Sequence, residues 1–191
     1  PADADTNGMT LSRVGTKMAT TLQRVCQSVI MGVAEPTLWQ IDGGLRPEGK
    51  DGPLVRKLES HKAYYEQWAE NWEFQALLKA GPLAGDPDLV QAFMDMTRPF
   101  VWTASKRDNF VYDCQQMRKR VEDLIPAHLK DREIKLGRGG LRDVEFTVQM
   151  LQLVHGRADE TLRTSSTLES LQRLAEGGYV SRRQAKKLSW D

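Results

Sequence analysis

Two groups of charged residues and glycines in this chain have the make-up of phosphate chemistry. The first surrounds Asp42, at the end of the run Leu38-Trp39-Gln40-Ile41-Asp42, with Arg46, Glu48, Lys50 and Asp51 following in a glycine-rich bend. A carboxylate at a strand end beside flexible backbone can hold Mg²⁺, and nearby cations offset charge on a transferring phosphoryl group. The same residues also read as a solvated turn, because Asp-Gly is a common turn pair. The second group runs from Lys135 to Glu145. Gly137, Gly139 and Gly140 precede a helix start, and Lys135, Arg138 and Arg142 bring positive charge. A helix N-terminus with exposed N–H groups favours anions. The spacing is neither that of a Walker A loop nor that of the dinucleotide fingerprint, and a glycine-capped connector is the other reading. Asp143 and Glu145 lie two apart and so do not share a helix face. Asp143, near the helix start, also suits the helix dipole without further function.

A third segment, Trp68-Ala69-Glu70-Asn71-Trp72-Glu73-Phe74, carries aromatics at helical spacing that read first as core. Lys79 follows it, at a helix end before Gly81-Pro82, where it can favour the dipole or reach a phosphate. His61, His128 and His155 have no ligand or nucleophile partner near them in sequence and read as structural or exposed. Cys26 and Cys114, far apart in apolar helical stretches, read as buried free thiols. No Cys/His spacing suits zinc.

The elements that must position these residues are mostly helices. Leu11, Val14, Met18, Leu22, Val25 and Val29 recur in steps of three and four, which predicts an amphipathic helix ended by Gly32 and Pro36. Residues 38–42 form the best strand candidate, with Trp39 and Ile41 on one side, and Leu54-Val55 is a possible returning strand. Beyond that, periodicity predicts a helix over about 60–80 with Tyr65, Ala69, Trp72 and Ala76 on one stripe. Further helices are predicted over about 89–96, 110–125 (closed by Pro126), 141–155, 167–177 and 181–190. The fold class is therefore mainly α with a small α/β part followed by a helical bundle. One or two strands make no stable sheet alone, and the chain opens Pro1-Ala2-Asp3 without a Met. Both observations point to a longer protein with strands upstream.

At 191 residues the chain is long enough for one substantial domain or two small ones. Lys plus Arg is 27 against 26 for Asp plus Glu, so net charge gives no argument for a polyanionic partner. No apolar run is long enough to span a bilayer and no secretory pattern is present. The expectation is a cytoplasmic protein with neither nucleic acid nor membrane as partner.

Taken together, three motifs resemble those of the glutamine synthetase adenylyltransferase/adenylyl-removing enzymes. They are Ile41-Asp42-Gly43-Gly44-Leu45-Arg46-Pro47-Glu48-Gly49-Lys50-Asp51-Gly52-Pro53-Leu54-Val55, Trp72-Glu73-Phe74-Gln75-Ala76-Leu77-Leu78-Lys79-Ala80 and Ile134-Lys135-Leu136-Gly137-Arg138-Gly139-Gly140-Leu141-Arg142-Asp143-Val144-Glu145-Phe146, the last continuing through Gln149 to His155-Gly156-Arg157. The wording is similar to actinobacterial members and to the N-terminal, AMP-removing half. The resemblance implies a truncated polymerase-beta-type nucleotidyltransferase domain over 1–87 and a helical domain over 88–191. It implies removal of AMP from a tyrosine of glutamine synthetase by phosphorolysis, with the full-length enzyme also adenylylating from ATP. Mg²⁺, ATP or ADP and phosphate are then the small molecules, and glutamine synthetase and the PII signal protein the partners.

By the same resemblance Asp42 falls at the third metal-carboxylate position. Arg46 is then a catalytic candidate, and Lys79, Lys135, Arg138, Gly139 and Gly140 are nucleotide or phosphate contacts. The family's Gly-rich turn with Asp-x-Asp is absent, and Asp3 and Asp5 have the spacing without the strand that should precede it. Gly43-Gly44 replaces the bulkier or polar residues usual before Leu-Arg-Pro, and Gly81 stands where an Arg usually follows Lys-Ala. The isolated chain is therefore expected to have little or no activity. The alternative expectation is a non-catalytic helical module that binds glutamine synthetase or PII.

Overall fold

The computed structural model describes residues 10–28, 37, 39–130 and 132–189. Among them the secondary structure is helical, with eight α-helices and no strand. The chain divides into two compact units, Pro1–Ala69 and Glu70–Asp191.

In the first unit α1 spans Leu11–Gln27 and α2 spans Leu58–Gln67, and between them the only regular element among the described residues is a 3₁₀ turn at Gly49–Asp51. Thr10 starts α1 by accepting the Arg13 N–H on its hydroxyl. The amphipathic helix expected from the sequence forms, but its apolar stripe is exposed: Leu11, Met18, Leu22 and Val25 all lie open, and Val29 falls outside the described residues. The less exposed side carries Val14, Gly15, Ala19, Gln23 and Cys26. Cys26 is buried, and a Cβ on Gly15 would come 3.0 Å from Val55 Cγ1, which lets loop and helix approach closely.

The expected strand is not formed by the described residues 39–42, and Leu54-Val55 forms a bend. Leu38 lies outside the described residues. A strand needs a neighbour to take its backbone groups. Here those groups go to α1: the Trp39 N–H donates to the Cys26 carbonyl at 3.2 Å, and the Ile41 carbonyl accepts from Gln27 Nε2 at 3.4 Å. Trp39 is 71% exposed.

In the second unit α3 spans Asn71–Leu77, α4 Pro87–Thr103, α5 Phe110–Asp123, α6 Leu141–His155, α7 Thr167–Glu176 and α8 Arg182–Ser189. The single helix expected over about 60–80 is thus two, α2 and α3. Glu70 is extended, at ψ 156°, and forms a reciprocal capping box with Glu73 that opens α3. The short helix expected over 89–96 is longer, because α4 continues through Pro99. Helices α5 to α8 begin and end within two residues of their expected bounds.

Helix α3 packs on α4, α5 and α6, α6 on α7, and α7 on α8. Val148, Leu162, Leu171, Leu174 and Ala185 form a buried cluster across the last three helices and the 3₁₀ turn Glu160–Leu162. At the start of α3 the buried Asn71 is fully engaged. Its amide donates to the Asp108 carbonyl at 3.0 Å and to Asp113 Oδ2 at 2.7 Å, and its Oδ1 accepts from Arg107 Nε at 2.7 Å. This arrangement pins α3 to the start of α5.

Candidate functional site

The candidate residues fall into two sets, one in each unit. In the first unit Asp42 is exposed and opens the bend. Its Oδ1 accepts the Gly44 N–H at 2.8 Å, an Asx-type turn, and its Oδ2 has no partner among the described residues. Arg46 is folded back into the same loop. Its Nε donates to the Gly52 carbonyl at 3.0 Å, and its two terminal nitrogens donate to the carbonyls of Gly43 at 2.7 Å and Lys50 at 2.9 Å. Arg46 therefore organises the backbone beside Asp42, and N–H groups remain on its two terminal nitrogens.

The loop is tight. A Cβ on Gly52 would meet the Pro47 carbonyl at 2.1 Å, and Glu48 has left-handed backbone at φ 63°. Arg56 holds Glu48 in an ion pair at 2.8 Å and lies 5.7 Å from the Tyr64 ring centroid. Sequence reading did not single out Arg56.

The described residues include no group of three His, Cys, Asp or Glu that could hold a metal ion. Asp42 fits Mg²⁺ as one carboxylate ligand; Glu48, the next acid in the loop, is tied to Arg56. The described donor set is one ligand of a site rather than a site.

In the second unit the glycine loop before α6 is closed on itself. Gly139 N–H donates to Asp143 Oδ2 at 2.6 Å, Gly140 N–H to the Gly137 carbonyl at 3.0 Å, Leu141 N–H to Ile134 at 3.0 Å and Arg142 N–H to Lys135 at 2.9 Å. The Lys135 and Leu136 N–H groups both reach Glu133 Oε1, each at 3.1 Å. The backbone donors that a phosphate would use are already engaged.

Behind the loop stands Arg118 of α5, which sequence reading missed. It pairs with Asp143 Oδ1 and donates to the carbonyls of Leu136 at 3.0 Å and Gly137 at 3.1 Å. Gly139 takes φ +76°, a conformation that glycine adopts freely. What the loop leaves exposed is the side chains of Lys135 and Arg138, neither of which has a partner among the described residues. Nothing local in sequence marks Arg118, whose partners are 18 to 25 residues away.

Lys79, just beyond α3, is committed elsewhere. Its ammonium donates to the Ser165 carbonyl at 2.6 Å and to Thr167 Oγ1 at 2.8 Å. It shares no hydrogen-bond partner with the Lys135–Gly140 loop. A second polar line missed by sequence reading runs from surface to core: Arg142 pairs with Glu145 at 2.8 Å, Glu145 accepts from Gln149 at 3.4 Å, and Gln149 accepts from Gln75 at 2.9 Å. Both cysteines are free and buried. Burial, and then the neighbouring Asp113, push the Cys114 thiol up to about 11, which disqualifies it as a nucleophile. Burial also lowers the pKa of His61, and the His155 ring stacks on Tyr179 at 4.3 Å.

Residues 3–96 match the family model described as glutamate-ammonia ligase adenylyltransferase, and residues 115–190 match the model described as GlnD PII-uridylyltransferase. The bifunctional glutamine synthetase adenylyltransferase/adenylyl-removing enzyme of Bifidobacterium longum (strain DJO10A) is 83% identical over all 191 residues. Over its whole length the chain is similar to a stretch of the glutamine synthetase adenylyltransferase/adenylyl-removing enzymes. Enzymes of the same name from Cutibacterium acnes and Mycolicibacterium smegmatis are 54% identical over 188 residues and 58% identical over 160 residues, covering 98% and 84% of this chain. The chain spans 18%, 19% and 16% of the length of these three curated relatives. Within this family context the Asp42 loop falls in the segment matched by the adenylyltransferase model. The Arg118–Asp143 clamp falls in the segment matched by the uridylyltransferase model. Among the described residues no helix is long and apolar enough to cross a membrane.

Proposed function

We propose that this chain serves the adenylyl-removing half of a glutamine synthetase adenylyltransferase/adenylyl-removing enzyme. In this reading residues 1–87 are the C-terminal part of a polymerase-beta-type nucleotidyltransferase domain and residues 88–191 its helical domain. The full protein removes AMP from an adenylylated tyrosine of glutamine synthetase by phosphorolysis, releasing ADP. The observation that carries it is the exposed Asp42 carboxylate, one oxygen of which has no partner among the described residues, at the mouth of a loop that Arg46 holds together.

Asp42 would be one ligand of a Mg²⁺ ion, which when bound would offset phosphate charge. The other ligands lie outside the described residues. Arg46 would position the Asp42 loop and offer its remaining N–H groups to phosphate. Lys135 and Arg138 would contact nucleotide or phosphate through their side chains, with Gly139 and Gly140 shaping the loop rather than donating. Lys79 would act as a strut. With no group of metal-holding carboxylates among the described residues, the isolated chain would not turn over.

The test is ADP release from adenylylated glutamine synthetase with phosphate and Mg²⁺. In a full-length enzyme carrying this sequence, Asp42→Asn should lower the rate by about a hundredfold or more. The 191-residue chain alone should release none. An unchanged rate in Asp42→Asn removes the role of that carboxylate, and release by the isolated chain at the full-length rate overturns the division of labour.

The match of residues 115–190 to a PII-uridylyltransferase model favours a second reading, a helical module that docks on PII or glutamine synthetase. Retained binding of either protein by the Asp42→Asn chain, with no loss of ADP release in the full-length variant, would support it.

A further inference from the structure

The second unit carries a half-open cavity of about 460 Å³ that shares no residue with the Asp42 bend or the Lys135–Gly140 loop. Cavities of about 300–1,000 Å³ are the size that holds small molecules. The walls are the end of α3, the middle of α4 and the segment 160–165.

These walls are fixed by contacts that need no ligand. Lys79 ties the Ser165 carbonyl to the end of α3 at 2.6 Å. Arg163 is held by the Gly156 carbonyl at 2.8 Å, the Arg157 carbonyl at 3.3 Å and Glu160 at 2.8 Å, and its guanidinium lies 5.1 Å from the Trp102 ring centroid. On Gly156 a Cβ would stand 2.8 Å from Trp102 Cζ3, so the indole packs directly on that backbone. The cavity is therefore preformed, which lowers the ordering cost of binding.

Its chemistry is selective. Leu77, Met94 and Trp102 line an apolar side. Glu160 and Arg163 neutralise one another. That leaves Arg98, whose side chain is 58% exposed and whose single ion pair among the described residues is to Asp95 at 3.4 Å along the same helix. Such exposed pairs contribute little and are readily exchanged. The Ser165 hydroxyl, also in the lining, has no partner among the described residues. One available guanidinium matches one negative charge, and a guanidinium fork fits a carboxylate.

We infer that this cavity binds a small organic monocarboxylate, its carboxylate on Arg98 and the Ser165 hydroxyl and its apolar body against Leu77, Met94 and Trp102. Titration calorimetry on the full 191-residue chain tests this with 3-phenylpropionate, its neutral amide 3-phenylpropanamide, and inorganic phosphate. The acid should saturate a single site, with the amide and phosphate each about tenfold weaker or worse. Arg98→Gln should weaken the acid by about tenfold with an unchanged melting temperature, because Arg98 is exposed. Ala80→Leu, which fills the cavity without changing charge, should weaken it too. Absence of saturable binding by the acid overturns the assignment. So does equal binding of the amide or of phosphate, or undiminished binding by folded Arg98→Gln.

Discussion

Arg46 and Arg118 use their guanidinium groups in the same way, as organisers of backbone. Arg46 gathers three carbonyls of its own loop, and Arg118 gathers two carbonyls of the glycine loop together with Asp143. A planar fork with five donors can span such a set, whereas an ammonium cannot. Arg118→Lys should therefore keep the charge and lose the geometry. Its side chain is 11% exposed and that of Asp143 34%, so part of the loss is recovered by water. The expected cost is about 1–2 kcal/mol of unfolding free energy. Denaturant unfolding measures that cost, and amide exchange at Gly139, whose N–H rests on Asp143, should quicken along with it. A variant as stable as the parent with unchanged exchange would mean that the loop holds itself. At this scale the sequence is half legible. The charges of Lys135 and Arg138 and the glycines between them are visible in a window of a few residues. The residue that closes the loop is not, because Arg118 lies one helix earlier and nothing in its own neighbourhood marks it.

Helix α3 illustrates what periodicity conveys and what it misses. Tyr65, Ala69, Trp72 and Ala76 keep helical step across a place where the backbone is extended, so the stripe reads as one helix and the structure has two. The break is made by the Glu70–Glu73 box, in which Glu replaces the Ser or Thr that would have advertised a start. The strand over 38–42 fails for the complementary reason. Its alternation is visible, but whether a neighbouring strand exists is not a local property, and in the described residues α1 takes the backbone groups instead. Once formed, α3 is joined to α6 by the buried amide pair Gln75–Gln149, at 2% and 5% exposure. Gln75 Oε1 already lacks a partner among the described residues. Gln149→Leu would leave the whole Gln75 amide buried and unbonded, at a cost of about 1–3 kcal/mol. Gln75→Leu should cost a similar amount or somewhat less, because Gln149 Oε1 loses its donor while the Gln149 amide N–H still reaches Glu145. The double variant should then cost clearly less than the two together, because no amide is left stranded. Chemical denaturation of the four proteins gives the coupling. Additive losses would show that the two amides are solvated independently rather than bonded to one another.

The two units differ in how much they bury. The second has a cluster of Val148, Leu162, Leu171, Leu174 and Ala185, with Leu151, Tyr179 and Leu188 packed against it, and further buried side chains at Phe74, Val101, Phe110 and Leu153. Among the described residues the buried apolar side chains of the first are Cys26, Tyr64, Tyr65 and Ala69, while Leu11, Met18, Leu22 and Val25 of the α1 stripe lie open. The helical character of the second unit was legible throughout, because each of α5 to α8 carries its own apolar period and a Pro, Gly or Ser at its ends. The division between Ala69 and Glu70 was not, since it falls inside a stretch with unbroken helical period. Apolar burial is the main term against chain entropy, and a unit of 69 residues whose described part buries few side chains does not offset it. Residues 70–191, made alone, should therefore show a helical circular-dichroism spectrum and a cooperative thermal transition. Residues 1–69 alone should show partial helicity that fades without a transition, because α1 and α2 are short enough to need tertiary support. The same apolar stripe makes a sharper demand. If residues 1–69 did melt cooperatively as a monomer, Leu11, Met18, Leu22 and Val25 would have to be buried within that unit, and replacing Met18 and Leu22 by Ser would abolish the transition. In the arrangement described here those two replacements leave the helicity and its gradual loss nearly unchanged.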